Sequence, residues 1–339
     1  MPTKAATSVA YLGPQGTFSH AAAIAFFEHH PRSSTEAWLM RSSANIEDVF
    51  ASVEAGDSLF GVVPVENSTE GAVNNTQDCL LTTSTLIVGE IIIPIVHNLL
   101  GREGLTRDKV HTIASHKQSL AQCRGWLSRN FPHAVLRECA SNAQAAELAL
   151  SEEGMAAIAG EFAAQTYGLD ILSYSIQDHS HNRTRFLIIA AGEDKSQYES
   201  QDESQDESEN EVQKSLELLA KHNEEMKQSL DRKTSLLVAT DNKPGALFRI
   251  LEPFNTLQID LSKIEARPSK LRAWEYVFFI DFIVSGTKQS NHDIEQKLFA
   301  LLKPRTTSLR ILGSYPPTLP TEADNDSAPI LAAPTDVSK

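Results

Sequence analysis

The sequence of 339 residues contains no long apolar run and no cluster of basic side chains. Its longest apolar stretch, residues 86–96, is interrupted by Gly89, Glu90 and Pro94, whereas a membrane-spanning helix needs about 20 consecutive apolar residues. Nucleic-acid binding requires clustered Lys and Arg, and the formal net charge here is -14. We therefore predict that neither a membrane nor a nucleic acid is a partner of this chain.

The chain also has few cysteines and no secretory signal at its start. Cys79, Cys123 and Cys139 are widely spaced and form no paired CxxC motif. The first residues, MPTKAATSVAY, include no apolar segment of the kind that directs secretion. Because disulfides are rare in reducing compartments, we predict a cytoplasmic protein whose cysteines are reduced and buried.

Sequence motifs that bind common cofactors are missing as well. There is no GxGxxG fingerprint, no Walker loop and no nucleophile elbow. Asp178, His179 and His181 lie in one short loop, but no fourth ligand follows at a spacing that is typical of a metal site. We therefore predict no cofactor and no bound metal, and the sequence supports neither a dinucleotide enzyme nor a hydrolase.

Alternation of short apolar runs with Ala-rich amphipathic segments dominates residues 9–191. This alternation is typical of an α/β fold. From residue 233 the pattern restarts and predicts the order strand, helix, strand, strand, helix, strand, which is the βαββαβ order of ferredoxin-like domains. A chain of this length has room for two or three domains, and we place the first at 8–192 and the second at 232–316.

The segments outside these two domains differ in character. Residues 193–211 contain nine acids and one lysine and repeat QDES, so they carry most of the net charge and are predicted to be a disordered linker. Residues 212–231 place apolar side chains at alternating spacings of four and three, which fits either a short coiled coil or a single amphipathic helix on its own domain. The tail at 317–339 is Pro-rich and acidic, and we predict that it is disordered.

Three predicted strand-to-helix junctions carry polar residues. The stretch GPQGTFSH, residues 13–20, predicts a tight turn with Thr17 and Ser19 at the start of a helix, where free N–H groups and hydroxyls suit an anion. A purely structural turn is the alternative. GVVPVENSTEG, residues 61–71, runs from a buried strand into a polar loop, which fits either a ligand site of an open α/β sheet or a surface Asx turn. Gln118 follows a third strand in the stretch SHKQ.

The stretch HNRTRFLII, residues 181–189, places the hydroxyl of Thr184 between Arg183 and Arg185 at the start of a strand. An arginine side chain can hold a carboxylate through two parallel hydrogen bonds. This arrangement suits an anionic substrate, although a polar strand cap would have the same composition. Together, the polar strand ends indicate a site that binds an anion without a cofactor.

Five stretches resemble, in the same order, the motifs of the prephenate dehydratase family: GPQGTFSH, GVVPVENSTEG, SHKQSLAQC, AAIAGEFAAQTYGLDIL and IQDHSHNRTRF. The resemblance covers residues 9–191. Further on, KPGALFRIL and IEARP resemble the GALF and ESRP signatures of the ACT domain attached to that enzyme. Residues 193–232 have no counterpart in compact bacterial relatives, so we interpret them as an insertion.

The resemblance implies conversion of prephenate to phenylpyruvate, water and carbon dioxide, with feedback by L-phenylalanine at the ACT domain. It implies that Thr184 donates a hydrogen bond to the leaving hydroxyl, that Arg185 grips a carboxylate and that Phe186 shapes the pocket. Because a threonine hydroxyl is too weak an acid to be the ultimate proton source, we predict that Glu66 supplies the proton. Further positions that match the family pocket are Thr17, Ser19, Asn67, Ser68 and Gln118.

The resemblance also implies two α/β lobes, like those of periplasmic binding proteins, with the site between them. The predicted crossovers lie near residues 92–96 and 174–178. In the second domain, the serine of ESRP is replaced by Ala266, and a ferredoxin-like dimerisation module without a ligand is the alternative to an effector site. The predicted effector-binding residues are Gly245, Ala246, Leu247, Glu265, Arg267 and Pro268.

Two other functions fit the same motifs. Arogenate dehydratase performs the same chemistry on the amino analogue of prephenate. A phenylalanine-responsive binding protein would share the two-lobed scaffold without catalysing a reaction, but it would not need both the TRF and the ENS stretches, which are present here. We therefore favour a catalyst, and we expect it to be a homodimer or homotetramer.

Overall fold

The computed structural model of the chain describes residues 8–28, 38–192, 231–269 and 275–318. The predicted acidic linker at 193–211, and nearly all of the predicted helix at 212–231 and the tail at 317–339, lie outside the described residues. No helix within the described ranges is both long and apolar enough to cross a membrane. The described residues form two mixed β-sheets flanked by helices, which confirms the α/β class.

The larger sheet starts with the first strands of the chain. Strands β1 and β3 pair in parallel and are mostly buried, because helices cover a parallel sheet on both faces and its strands are therefore apolar on both sides. Before the chain first leaves this sheet, it forms β1 (Ser8–Leu12), α1 (Phe18–Glu28), β2 (Leu39–Ser43), α2 (Ile46–Glu54), β3 (Phe60–Asn67), β4 (Gly71–Ala72), α3 (Asn74–Thr82) and β5 (Leu86–Pro94).

After β5 the chain builds a second, smaller sheet. Its elements are β6 (Asn98–Gly101), β7 (Thr112–His116), α4 (Lys117–Gln122), α5 (Arg124–Asn130), β8 (Val135–Cys139), α6 (Asn142–Ser151), β9 (Met155–Ala159), α7 (Glu161–Tyr167) and β10 (Asp170–Ser173). The strand order is β10-β6-β9-β7-β8. Helix α7 ends at Gly168 with a φ of 65°, a left-handed conformation that glycine adopts without strain.

The chain returns to the larger sheet as β11 (Arg183–Ala190), which lies between β3 and β5 and is antiparallel to both. The two passages between the sheets therefore lie between β5 and β6 and between β10 and β11. Alternate residues of β11 face opposite sides of the sheet. Phe186 and Ile188 pack in the cluster that contains α1, whereas Leu187 and Ile189 pack in the cluster that contains α2.

The C-terminal unit follows the predicted βαββαβ order. Its elements are β12 (Arg232–Ala239), α8 (Ala246–Thr256), β13 (Asp260–Pro268), β14 (Tyr276–Val284), α9 (Lys288–Leu302) and β15 (Ser308–Tyr315). The strand order is β13-β14-β12-β15 with antiparallel pairing throughout. Apolar side chains on one face of this sheet, including Ile280 and Phe282, pack against residues of α8 and α9 such as Ile250 and Leu298.

The two parts of the chain share one sheet and one core. Gly313 of β15 pairs in parallel with Ile87 of β5, so closely that a Cβ atom on Gly313 would lie 2.0 Å from the Ile87 carbonyl oxygen. The second face of the C-terminal sheet presents Val277 and Phe279, which pack in the same cluster as Leu187. The C-terminal unit is therefore docked on the face of β11 that is opposite to α1.

Candidate active site

A cavity of about 550 Å³ is lined by residues of both sheets. One wall comes from strand ends and loops of the larger sheet, and the other comes from the starts of α4 and α6. Of the residues predicted for the site, the cavity brings together Thr17, Ser19, Asn67, Gln118, Thr184 and Phe186. Its polar lining also includes residues that we did not predict as part of the site, namely Glu70, His97, His116, Ser119, Gln122, Ser141, Asn142 and Asn182.

The hydroxyl of Thr184 is held by an amide whose orientation is fixed. Asn67 Nδ2 donates hydrogen bonds of 2.8 Å to Thr184 Oγ1 and to Asn182 Oδ1. Asn67 Oδ1 in turn accepts from the backbone and hydroxyl of Thr69 and from the backbone of Glu70, which determines which end of the amide is the donor. Because Thr184 Oγ1 accepts in this bond, its own proton is left to donate to a group in the cavity.

The turn at residues 13–20 contributes two further hydroxyls. Thr17 Oγ1 donates to a backbone carbonyl of β1 at 3.1 Å and accepts from the His20 backbone at 3.3 Å, so it helps to begin α1. Ser19 follows in the first turn of that helix and is buried. Tyr167 Oη, from α7, donates to a backbone carbonyl of the turn at 2.9 Å. The turn is thereby tied to the helices of the smaller sheet.

One amide organises the opposite wall. Asn142 Oδ1 accepts hydrogen bonds of 3.0 Å from the hydroxyls of Ser115 and Ser119 and one of 3.3 Å from the His116 backbone. The orientation of this amide is therefore also fixed, and its Nδ2 is the end that remains to donate elsewhere. Gln118 lies beside it in α4, with its backbone N–H donating to His116 Nδ1 at 3.4 Å.

Gln122, at the end of α4, connects the two walls. Its Oε1 accepts from Asn182 Nδ2 at 3.1 Å and lies 2.8 Å from His97 Nε2, so His97 Nε2 carries the proton in this bond. Burial lowers the pKa of His97, which favours the neutral ring near neutral pH. Hydrogen bonds thus run from His97 through Gln122 and Asn182 to Asn67, the partner of Thr184.

A family model for prephenate dehydratase matches residues 9–194. That range covers more than half of the chain and contains every residue that lines the cavity. The chain belongs to the prephenate dehydratase family. Its enzymes are lyases, and the motif resemblance found in the sequence is confirmed for this part of the chain.

Relatives named for this activity align over nearly the whole chain. The bifunctional chorismate mutase/prephenate dehydratase of Aquifex aeolicus is 40% identical over 314 residues, covering 92% of this chain and 74% of that protein. The prephenate dehydratase of Methanocaldococcus jannaschii is 32% identical over 310 residues, which cover 91% of this chain and 98% of that protein. The solved structure of prephenate dehydratase from Arthrobacter aurescens in complex with L-Phe has a TM-score of 0.69 at 27% identity. The match covers 96% of this chain and 93% of that one. The solved structure of prephenate dehydratase from Staphylococcus aureus has a TM-score of 0.68 at 25% identity. The match covers 91% of this chain and all of that one.

Within the TRF motif of this dehydratase, Thr184 and Phe186 line the cavity but Arg185 does not. Adjacent residues of a strand point to opposite faces of the sheet. The Arg185 side chain therefore extends away from the cavity, where it donates to Glu90 and to Asp281, each at 2.7 Å. This corrects the expectation that Arg185 enters the cleft beside Thr184, and a direct grip on a substrate carboxylate is not supported.

Glu66 lies on the same side as Arg185, because the two residues are paired across β3 and β11. Its carboxylate accepts a hydrogen bond from Lys263 Nζ at 3.0 Å and lies 3.8 Å from Arg185 Nη1. Glu66 is absent from the residues that line the cavity, so direct proton transfer from it is not supported. Ser68 also lies outside the lining, and it accepts from the Arg183 backbone at 2.9 Å, which fastens β3 to the start of β11.

The residues predicted to bind an effector fall into two groups. The segment Gly245–Leu247 begins α8, with a φ of 79° at its glycine. Glu265 and Arg267, on β13, instead face α3, and Pro268 ends that strand. Both side chains form hydrogen bonds of 2.6–2.7 Å with residues of α3, namely Gln77, Asn74 and Asp78.

Proposed function

We propose that the cavity binds prephenate and that the enzyme converts it to phenylpyruvate, carbon dioxide and water. The observation that carries the proposal is the Thr184 hydroxyl, which accepts from Asn67 at 2.8 Å and so retains its proton for a group in the cavity. A donor that is already oriented toward developing negative charge stabilises the transition state without further reorganisation. The leaving hydroxyl of prephenate is such a group.

The chemistry needs orientation and a hydrogen-bond donor. The bond between the ring and its carboxylate breaks, the electron pair passes through the ring diene, and the bond to the ring hydroxyl breaks as the ring becomes aromatic. The prephenate dianion and one proton thus give the phenylpyruvate monoanion, carbon dioxide and water. Because a threonine hydroxyl is a weak acid, Thr184 donates a hydrogen bond to the leaving oxygen and relays a proton that comes from another source.

The remaining cavity residues bind and orient the substrate. Ser19 lies on one wall beside Thr17, whose own proton is donated to β1, and Gln118 lies on the other wall with the Asn142 amide beside it. Donors thus reach a dianion from two sides, with Ser19 as the hydroxyl donor of the first wall. Phe186, the last residue of the TRF motif, is buried and shapes the apolar part of the cavity. The two chain passages between the sheets support an arrangement of two lobes like that of periplasmic binding proteins, with the site between them.

We further propose that the C-terminal unit is a ferredoxin-like ACT domain that binds L-phenylalanine. Its βαββαβ order and its strand order β13-β14-β12-β15 support this assignment. So does the stretch KPGALFRIL, which leads into α8. The relative from Arthrobacter aurescens, whose structure contains L-Phe, covers 96% of this chain. The proposal includes a homodimer or homotetramer in the cytoplasm.

Phenylpyruvate formation by the purified full-length chain tests the catalytic proposal. Prephenate and arogenate are supplied in parallel reactions, each with and without L-phenylalanine, and D-phenylalanine serves as the matched control. Prephenate turnover that only the L isomer suppresses would support both proposals. Turnover that L-phenylalanine does not change would refute regulation by L-phenylalanine and leave the catalytic proposal intact. If neither substrate is turned over while L-phenylalanine still binds, the catalytic proposal is wrong and the chain is a binding protein.

A further inference from the structure

Arg185 is the middle residue of the TRF motif, and two of its three hydrogen-bond partners belong to the C-terminal unit. Its Nε donates to Glu90 at 2.7 Å, its Nη1 donates to Asp281 at 2.7 Å, and its Nη2 donates to the Tyr315 hydroxyl at 2.9 Å. Glu90 belongs to β5 of the larger sheet, whereas Asp281 and Tyr315 belong to β14 and β15. The catalytic strand is thus bonded directly to the C-terminal unit.

The cluster around Arg185 is buried and balanced in charge. Glu90 has a side-chain exposure of 0% and also accepts from Lys233 Nζ at 2.8 and 3.1 Å. Arg185 and Lys233 therefore face the buried carboxylates of Glu90 and Asp281, while the 41% exposed Glu66 carboxylate lies 3.8 Å from Arg185 Nη1 and is paired with Lys263. Burial and the nearby Asp281 raise the pKa of Tyr315, so its phenol keeps its proton. Removing one charge from such a cluster leaves a buried charge that is no longer balanced, which is unfavourable.

Strand geometry connects this cluster to the cavity. Thr184 and Phe186 flank Arg185 and line the cavity on the opposite face of β11. The backbone of β11 is paired with strands on both sides, and the ladder to β3 is interrupted between Arg185 and Phe186. A bulge of this kind bends a strand and reorients the neighbouring side chains. The position of the Arg185 side chain is therefore linked to the positions of the two cavity residues beside it.

We propose that Arg185 is a positioning residue that links the C-terminal unit to the catalytic strand, so that Asp281 and Tyr315 set the placement of the Thr184 hydroxyl. The inference rests on the proposed dehydratase function and adds the route by which the C-terminal unit acts on the cavity. A shift of β14 or β15 relative to β5 moves the guanidinium, and the adjacent hydroxyl moves with it. Misplacement of a reacting group by about 1 Å can cost on the order of a hundredfold in rate.

The test uses substitutions in the C-terminal unit, on the face of β11 opposite to the cavity. In the full-length chain, Tyr315→Phe removes one hydroxyl without changing the shape of the side chain, and Asp281→Asn removes one charge. Each is expected to lower kcat for prephenate by about tenfold or more with KM nearly unchanged, since the lost interaction acts through the position of the catalytic group. Arg185→Lys keeps the charge but loses the planar fork, and it should lower kcat in the same way.

The control removes a contact between the same two parts of the chain that does not involve β11. Arg310 of β15 donates to the carbonyl oxygens of Thr83 and Leu80. Arg310→Gln should therefore keep the kcat of the wild type, although it too loosens the docking of the C-terminal unit. The double variant Arg185→Lys with Tyr315→Phe should be little slower than Arg185→Lys alone, because both substitutions break the same link.

Several outcomes would overturn the inference. A rise in KM confined to Arg185→Lys, with normal kcat in Tyr315→Phe and Asp281→Asn, would mean that the arginine contacts the substrate. Equal losses of kcat in Arg310→Gln and Tyr315→Phe would mean that docking in general is what matters. If Asp281→Asn does not fold, Tyr315→Phe decides the question. Failure of the wild type itself to turn over prephenate would refute the proposed function instead, so the two failures are distinguishable.

Discussion

Replacing Thr184 by valine removes the hydroxyl while it preserves the branched shape of the side chain. If Thr184 donates to the leaving oxygen, its loss resembles the loss of one oxyanion-hole donor, which typically lowers kcat by about 10²–10³-fold, or roughly 2.7–4 kcal/mol. KM for prephenate should change little, because the bond forms chiefly as the leaving group acquires charge. Thr184→Ser keeps the donor and should retain most of the activity.

The same substitution has a separate and smaller effect on stability. Valine leaves one N–H of Asn67 without the acceptor that it has at 2.8 Å, and because Asn67 is only partly buried the cost should lie below the roughly 1–3 kcal/mol of a fully buried unsatisfied donor. Thermal unfolding should therefore accompany the measurement of phenylpyruvate release. Thr166→Val is the matched control, since its hydroxyl bonds to a backbone carbonyl within α7. A kcat for Thr184→Val within about threefold of the wild type, or less than about 0.7 kcal/mol, would refute the reasoning.

Three further substitutions test other parts of the structure. Glu66→Gln removes the ion pair with Lys263, in which the Lys263 and Glu66 side chains are 10% and 41% exposed. Lys263 keeps a second carboxylate, that of Glu265, at 3.4 Å, so the loss of stability should be small. An altered acid limb of the kcat profile would restore Glu66 as the proton source. Gly313→Ala places a Cβ atom 2.0 Å from the Ile87 carbonyl and should lower the unfolding temperature. Because burial lowers the pKa of His97, the unfolded state binds more protons between the lowered value and about 6.5. Stability should therefore fall as the pH drops below about 6.5, and a similar loss in His97→Gln would refute this role.

The order of the main elements could be predicted because buried strands and Ala-rich helices differ in their apolar patterns. SVAYL and FGVVPVEN were recognisable as strands since most of their residues are apolar and buried. The strands β2 and β8 have the sequences LMRSS and VLREC and are largely exposed, so no apolar run marked them. The polar stretch after β3 did not reveal that Gly71–Ala72 pair with β3 as the short strand β4, so that α3 begins only at Asn74.

The site was only partly predictable, because its geometry depends on contacts between distant parts of the chain. Asn142 had no distinguishing neighbours in an Ala-rich helix. Its role follows from the hydrogen bonds that its Oδ1 accepts from three donors in β7 and α4. Gln122 and His97 are likewise brought together only by the passage between the two sheets. A motif identifies the strand that reaches the cavity, whereas the fixed amides that surround it come from tertiary structure.

The TRF motif illustrates how a strand divides one short sequence between two sites. Its outer residues, Thr184 and Phe186, line the cavity, and its middle residue is bonded to Glu90, Asp281 and Tyr315 on the other face. Reading three successive residues as one cluster ignores the twofold period of a strand. Because successive residues of a strand face opposite sides, a substrate contact for Thr184 argues against one for Arg185. The role of the guanidinium then depends on the residues that pack on the opposite face of the strand. Since the cover here is the C-terminal unit, the motif itself joins catalysis to the domain that we propose as its regulator.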